Sequence, residues 1–170
     1  MRDLAAATGM SLAGMYYYAK GKDDLLFQIQ KRCVERVTAG AAEAVASRAG
    51  PTERLQAFIR HHVVFFAGHT AEMKVLSREA DSLSGPALEE VRRLQRGYAD
   101  LLLSLLADLD SALGSPGPAP DRAVAAYALF GMVNWVYTWY DPAGRLTADK
   151  LADLMAGLFL HGFQGAGFSS

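Results

Sequence analysis

Apolar residues recur at intervals of three and four along nearly the whole of this 170-residue chain, and that spacing constrains its fold more than any other feature. An α-helix brings positions i, i+3, i+4 and i+7 to one face, whereas a strand needs strict alternation, which is rare here. The spacing therefore predicts an all-α protein. The expected helices cover residues 22–48, 52–68, 70–82, 85–113, 123–140 and 147–163.

Glycine and proline separate the expected helices. Gly50-Pro51 ends the first long helix, and Ser84-Gly85-Pro86 separates the short third helix from the fourth. A stretch with three prolines, residues 114–120, reads as a linker. With 51% hydrophobic residues, the chain has enough apolar side chains for a proper core.

The N-terminal segment, residues 1–26, has the spacing of a helix-turn-helix. Gly9 suits a sharp bend, and Ser11 is a good N-cap for the piece that follows. Met15 must point inward, so its neighbours face outward, where the second helix of such a motif enters the DNA major groove. The predicted DNA-facing residues are Ser11, Leu12, Ala13, Gly14, Tyr16 and Tyr17, with Lys22 on the phosphate backbone or simply solvated.

Charge and residue types exclude several other functions. The net charge is −1, so no overall positive field draws the chain to nucleic acid. Cys33 is the single cysteine, which excludes a disulfide framework or a zinc finger. His62 and His69 share a helix face but lie two turns apart, on the order of 10 Å, too far for one metal ion. We find no nucleophile with a base at a recognisable spacing and expect neither catalysis nor a cofactor.

Aromatic residues and methionines crowd the inner faces of the middle helices, which predicts an elongated apolar pocket. The same residues could also simply pack together. Arg92, Arg93 and Arg96 cluster on the fourth helix, either as a solvated face or as a handle for a ligand phosphate. The candidate pocket residues are Phe58, His62, Phe65, Met73, Leu76, Tyr98, Leu102, Phe130, Asn134 and Tyr137.

Residues 123–140 carry no charge, and a stretch of this length is at the edge of a membrane span. Asn134 and Thr138, together with the tyrosines and tryptophans, argue against a membrane helix. A helix buried once against its own body and once against a partner explains the stretch better. We expect residues 123–140 and 147–163 to form half of a four-helix bundle in a homodimer. The chain opens without a secretory signal, so the expected location is cytoplasmic.

Several motifs resemble the TetR-type transcriptional regulators. Within residues 1–26 these are Leu4-Ala5, Gly9-Met10-Ser11, Gly14-Met15-Tyr16-Tyr17-Tyr18 and Lys22-Asp23-Asp24-Leu25-Leu26. In the C-terminal half, Gly131-Met132-Val133-Asn134-Trp135 and Trp139-Tyr140-Asp141-Pro142-Ala143-Gly144 resemble members that sense acyl-coenzyme A or steroid thioesters.

The resemblance implies a DNA-binding domain at residues 1–47 and a ligand-binding and dimerisation domain at 48–170. It also implies a homodimeric repressor that a small hydrophobic effector, such as an acyl-coenzyme A, releases from operator DNA. Family members begin with one more helix, so the chain looks truncated, and Ala19 stands where an aromatic is usual. The alternative is a dimeric small-molecule-binding protein that has lost DNA binding.

Overall fold

The computed structural model describes residues 21–79, 82–114 and 121–165, and these residues form helices and connecting turns without a β-strand. The predicted all-α class is confirmed. The helices are α1 (Lys22–Ala46), α2 (Pro51–Gly68), α3 (Thr70–Arg78), α4 (Gly85–Leu113), α5 (Arg122–Asn134), α6 (Val136–Trp139) and α7 (Ala148–Gly165).

Helix α2 is the centre of the fold, where it packs against α1, α4 and α7. It begins at Pro51, whose fixed φ suits the first turn of a helix, and the Gly50 N–H donates to the Glu53 carboxylate at 3.3 Å. Phe58 and Ile59 on its inner face are fully buried. The other long helices are therefore positioned by their contacts with α2.

Helix α1 approaches α2 closely at Gly40. A Cβ atom at this position would lie 2.3 Å from Cε1 of His61, so any side chain there would displace the His61 ring from its place between the two helices. The missing side chain lets the His61 ring rest on the α1 backbone. This contact fixes the C-terminal half of α1 against α2.

Two apolar clusters divide the interior. The larger one joins α2, α4, α5 and α7 to Val37 and Ala41 of α1. The smaller one joins Leu25 and Leu26, at the start of α1, to Leu83 and Val91. Helix α1 therefore contacts both clusters.

The stretch expected as one helix over 123–140 is divided at Trp135 into α5 and α6, and the single-helix prediction is wrong. The Trp135 carbonyl accepts from both the N–H of Thr138, at 3.0 Å, and its hydroxyl, at 2.7 Å. A threonine that bonds the backbone in this way competes with the regular i to i+4 pattern. Neither α5 nor α6, nor any other helix that the structure describes, is long and apolar enough to cross a membrane.

The remaining helix ends lie close to their expected positions. Helix α1 ends at Ala46 and α3 at Arg78, two and four residues earlier than predicted. Thr147 caps α7 as expected, since its hydroxyl accepts from the Lys150 N–H at 3.2 Å. Inside α7, Gly162 leaves the helical conformation with a φ of 69°, a value that favours glycine.

Candidate functional site

A cavity of about 730 Å³, here called the main cavity, opens between α1, α3, α4 and the α5–α6 junction, with Phe66 as the contribution of α2. Its volume lies within the range of pockets that bind drug-sized ligands. Its lining residues are Gln30, Cys33, Val34, Phe66, Met73, Leu76, Ser77, Leu83, Leu88, Val91, Arg92, Gln95, Asn134, Trp135 and Tyr137.

The wall of the main cavity combines an apolar surface with a few polar groups. Met73 and Val91 are buried behind the apolar part, whereas Arg92, Gln95 and Asn134 are exposed at its edge. Tyr137 donates its hydroxyl hydrogen to Ser77 Oγ at 2.7 Å, which joins α6 to α3. This distribution suits a ligand with an apolar body and a polar or anionic head.

Of the three arginines on α4, Arg92 is the one that lines the main cavity. Arg93 instead forms a two-pronged ion pair with Glu90, with N–O distances of 2.8 and 2.9 Å, and Arg96 is not part of the wall. Arg92 makes no ion pair with any residue that the structure describes. Its guanidinium is therefore available to an anionic group at the cavity.

The predicted pocket residues fall into three groups. Met73, Leu76, Asn134 and Tyr137 line the main cavity. Phe65 lies in a separate groove of about 460 Å³ on the other side of α2. The others, Phe58, His62, Tyr98, Leu102 and Phe130, pack in the larger apolar cluster or against it.

Phe58, His62, Phe66, Tyr98 and Phe130 form what we call the aromatic cluster. The Phe58 and Tyr98 rings stack with centroids 5.0 Å apart, and the His62 and Phe66 rings stack at 4.2 Å. Phe66 also lines the main cavity, so the cluster and the cavity meet at this ring.

His62 is the buried polar residue of the aromatic cluster, with 1% of its surface exposed. Its Nδ1 lies 3.0 Å from the Tyr98 hydroxyl oxygen, and its Nε2 has no hydrogen-bond partner among the described residues. Burial lowers the pKa of His62 to about 3, an effect that the Asn134 side chain partly offsets. Burial likewise raises the pKa of Tyr98, so both side chains are neutral at pH 7.

The Phe65 ring, which lines the second groove, is in contact with two histidines, His61 and His69, and with one arginine, Arg36. The His69 ring stacks on Phe65 at 4.5 Å, and the Arg36 guanidinium carbon lies 5.5 Å from the Phe65 ring centroid. His69 Nδ1 lies 2.6 Å from the Phe65 carbonyl oxygen. The parts of the chain that the structure describes contain no group of three side chains placed to hold a metal ion.

The contribution of α1 to the cavity was not predicted from the sequence. Val34 belongs to the apolar stripe of α1, but Gln30 is a polar residue on the same inward face, and only its burial in the fold identifies it. Gln30 donates from Nε2 to the Glu79 carbonyl at 3.4 Å. No local pattern in the sequence indicates that pair, because its two members are far apart along the chain.

Lys22, at the start of α1, lies 3.0 Å from the Glu79 carboxylate. A hydrogen bond from Ser82, together with Lys22, holds the pKa of that carboxyl below its usual range. Glu79 thus links the segment after α3 to two points on α1. The contact of Lys22 with DNA stays a prediction, and the other predicted DNA-facing residues lie outside the described part of the chain. These are Ser11, Leu12, Ala13, Gly14, Tyr16 and Tyr17.

Helices α5 and α6 present large apolar side chains at the surface. Tyr127 is 75% exposed and Trp135 is 62% exposed, with Val124 and Trp139 also exposed. Single exposed apolar residues are ordinary, but several on one helical segment indicate a contact surface.

Residues 48–163 match the family model described as the tetracyclin repressor-like, C-terminal domain. The chain is 31% identical to AibR, whose structure was solved in complex with isovaleryl coenzyme A and operator DNA. That match covers 92% of this chain and 84% of AibR, with a TM-score of 0.74.

Two further relatives are similar over most of their length. The TetR family regulator PfmR from Thermus thermophilus is 26% identical, with a TM-score of 0.79 and coverage of 95% of this chain and 87% of PfmR. The HTH-type transcriptional repressor KstR2 from Mycobacterium tuberculosis is 23% identical over 98% of this chain and 84% of KstR2. With the family model matched over more than half of the chain, and AibR more than 30% identical over most of both chains, this protein belongs to the TetR-type transcriptional regulators.

Proposed function

We propose that this protein is a dimeric transcriptional repressor that binds operator DNA and is released from it by a small apolar effector with an anionic head. The observation that carries the proposal is that α1 forms one wall of the main cavity, through Gln30, Cys33 and Val34. Helix α1 also follows directly on the N-terminal segment in which the helix-turn-helix is predicted. A ligand in the cavity therefore touches the helix that leads to the DNA-binding segment.

The chemistry of the cavity wall supports an acyl-coenzyme A as effector. The apolar side chains of α3 and α4 fit an acyl chain, and Arg92, which has no ion-pair partner among the described residues, fits a phosphate, with which arginine makes charge-assisted hydrogen bonds. The complex of AibR with isovaleryl coenzyme A adds a precedent among the relatives.

Glu79 provides a route from the cavity to α1. It lies one residue beyond α3, whose Met73, Leu76 and Ser77 line the cavity, and it contacts both Lys22 and Gln30 of α1. A ligand that displaces α3 would shift both contacts. Coupling of about 1–3 kcal/mol between the two sites is enough to change DNA occupancy 5- to 150-fold.

The exposed face of α5 and α6 supports a dimer, which places two DNA-binding segments on successive half-sites. Replacing Tyr127 by Arg puts a charge at the centre of that face. We expect this variant to be monomeric in light scattering at micromolar concentration, while wild type is a dimer. A Tyr127→Arg protein that keeps the dimer mass would contradict this interface.

Function as a regulator requires no catalysis, and we expect the protein to act in the cytoplasm, where bacterial operator DNA lies. The predicted DNA-facing residues, of which Tyr16 and Tyr17 are the largest, stay part of the proposal.

The test is operator release, measured with the protein as its gene encodes it. An operator is first enriched from random double-stranded DNA by the protein itself, and fluorescence anisotropy then follows binding as isovaleryl-coenzyme A is added. We expect release by the thioester in wild type and about 10-fold weaker release in Arg92→Gln, because a charged hydrogen bond is lost. Arg96→Gln is the matched control and should behave as wild type. If the thioester binds but no DNA sequence is enriched, the protein is a ligand-binding dimer and the repressor proposal fails.

A further inference from the structure

The imidazole of His62 lies one side chain behind the wall of the main cavity. Phe66, which stacks on it, and Asn134, whose side chain faces it, both line the cavity. Asn134 is exposed on its outer side. A rotation of the Asn134 amide would therefore connect the imidazole with the cavity.

The hydrogen bond to Tyr98 determines which ring nitrogen of His62 carries the proton. The Tyr98 hydroxyl is buried, and among the described residues it is paired with His62 alone. A buried hydroxyl hydrogen needs an acceptor, and Nδ1 at 3.0 Å is the one present. Nδ1 must then be the unprotonated nitrogen, so in a neutral ring the hydrogen is on Nε2.

Nε2 is therefore a hydrogen-bond donor, and although the Asn134 amide lies near the ring, no described acceptor meets hydrogen-bond geometry with this nitrogen. A donor left unpaired in an apolar surrounding is costly, and the surroundings decide which acceptor can relieve that cost. The neighbouring rings of Phe58, Phe66 and Phe130 disfavour burial of a carboxylate. A neutral carbonyl oxygen can accept the hydrogen bond as a carboxylate does, but it brings no charge into the apolar surroundings.

We propose that the Nε2–H of His62 donates to a neutral carbonyl oxygen of the effector, and that Tyr98 is the positioning residue that keeps the proton on Nε2. The inference rests on the main cavity being the effector site, as proposed above. The carbonyl comes either from the thioester itself or from a ketone in the apolar body of the ligand. A ligand that lacks a carbonyl at this depth leaves the donor unpaired and binds more weakly.

The test compares matched pairs of ligands by calorimetry on the full-length protein. The first pair is isovaleryl-coenzyme A and the thioether that has a methylene in place of its carbonyl. The second pair is 5α-androstan-17-one and 5α-androstane. We expect wild type to prefer the carbonyl member of one pair by about 10-fold, and the pair that shows the preference identifies the source of the oxygen.

Two variants separate a hydrogen bond from simple packing. His62→Phe keeps the stacked ring but removes the donor, so the preference should fall to about 1-fold, since no hydrogen bond is left to distinguish the pair. Tyr98→Phe keeps the imidazole but removes the hydroxyl that holds its proton on Nε2. The preference for the carbonyl ligand should therefore also become smaller. His161→Phe, on an exposed position of α7, is the control and should keep the wild-type preference.

A second readout needs no ligand. Two-bond proton–nitrogen correlation spectra of wild type should show His62 with its proton on Nε2, and Tyr98→Phe should show a mixture of tautomers. A proton on Nδ1 in wild type overturns the inference. If the probes bind without preference for the carbonyl, the effector site stands and this inference alone is wrong. If none of the four probes binds, the effector class proposed above fails, and this inference fails with it.

Discussion

The aromatic cluster and the main cavity lie on opposite sides of the Phe66 ring and differ in how their space is filled. In the aromatic cluster, the centroid of the Phe58 ring lies 6.5 Å from that of His62, 5.0 Å from that of Tyr98 and 6.4 Å from that of Phe130. In the main cavity, aliphatic side chains such as Leu76 and Leu88 and polar ones such as Arg92 and Asn134 line one open space of about 730 Å³.

The polar groups explain why the cavity stays open. Closing it would bury Gln95, Arg92 and Asn134 against aliphatic side chains, which costs free energy unless each finds a hydrogen-bond partner. The aromatic cluster has a single polar pair, His62 and Tyr98, and these two satisfy each other on one side. We infer that the same helices have two roles. In the aromatic cluster their packed rings stabilise the fold, and in the main cavity their polar side chains keep open a space for a ligand.

The largest expected difference between the two regions is in folding stability. Phe58→Ala removes a fully buried ring that stacks on Tyr98, and we expect it to lower the free energy of unfolding by about 3–5 kcal/mol. Leu76→Ala, on the cavity wall, is the matched control and should cost below about 1.5 kcal/mol, because its side chain is only partly buried. Urea unfolding measures both, and equal losses would mean that the wall is as tightly packed as the cluster.

The second prediction concerns the pH dependence of stability. The pKa of His62 falls from 6.5 to about 3 on burial, so the unfolded chain takes up a proton first as the pH drops. Above about pH 6.5, His62 therefore does not change the free energy of unfolding. Between about pH 6.5 and pH 3, its protonation in the unfolded chain lowers the free energy of unfolding by about 1.4 kcal/mol for each pH unit.

His62→Phe isolates this effect from that of the carboxylates, which titrate at lower pH. Between pH 6.5 and 5 we expect wild type to lose about 2 kcal/mol more unfolding free energy than His62→Phe. His161→Phe, at an exposed position, should follow wild type. Parallel pH curves for wild type and His62→Phe would show that the imidazole is not buried in its neutral form.

The third prediction concerns a substitution that fills the main cavity and leaves the aromatic cluster unchanged. Leu76→Trp should weaken isovaleryl-coenzyme A binding by 10-fold or more, about 1.4 kcal/mol, because the indole occupies ligand space. Unfolding free energy should change by less than about 1 kcal/mol, since the added ring enters open space rather than a packed core. Calorimetry and urea unfolding on the same samples separate the two effects. Unchanged affinity would place the effector elsewhere.

The smallest effect is expected in a third region, between α2 and α7. Arg60 forms ion pairs with Asp149 and Asp153, and all three side chains are substantially exposed. Asp153→Asn should therefore cost less than about 1 kcal/mol of unfolding free energy, and the loss should shrink further in high salt. Effector affinity should not change. A larger loss that is independent of salt would show that this network is shielded from solvent.

Features encoded by neighbouring residues could be predicted from the sequence. Gly50-Pro51 and Ser84-Gly85-Pro86 mark real helix boundaries, and Thr147 caps α7, because turns and caps depend on residues a few positions apart. The division at Trp135 was not predicted, although the hydroxyl of Thr138 bonds the Trp135 carbonyl at that point. A threonine that bonds the carbonyl three residues back cannot be told from a solvated one by spacing alone.

The outline of the cavity depends on contacts between distant residues, and it could be predicted only in part. Periodicity placed Phe58, His62 and Met73 on inward faces, but it carries no information on whether the space before each is filled by another ring. Gln30 and Lys22 join Glu79 across a long stretch of sequence, so their role at the cavity edge emerges only from the packing of α1 on the segment after α3.

The central claim is that the effector occupies the main cavity rather than the groove around Phe65. Photo-crosslinking with an acyl-coenzyme A whose chain carries a diazirine, followed by peptide mass spectrometry, tests it directly. The account predicts labels on the wall residues of α3 and α4, chiefly Met73, Leu76 and Leu88, and their loss in Leu76→Trp. Labels confined to the groove of Val64, Phe65 and His69, and unchanged by Leu76→Trp, would contradict it.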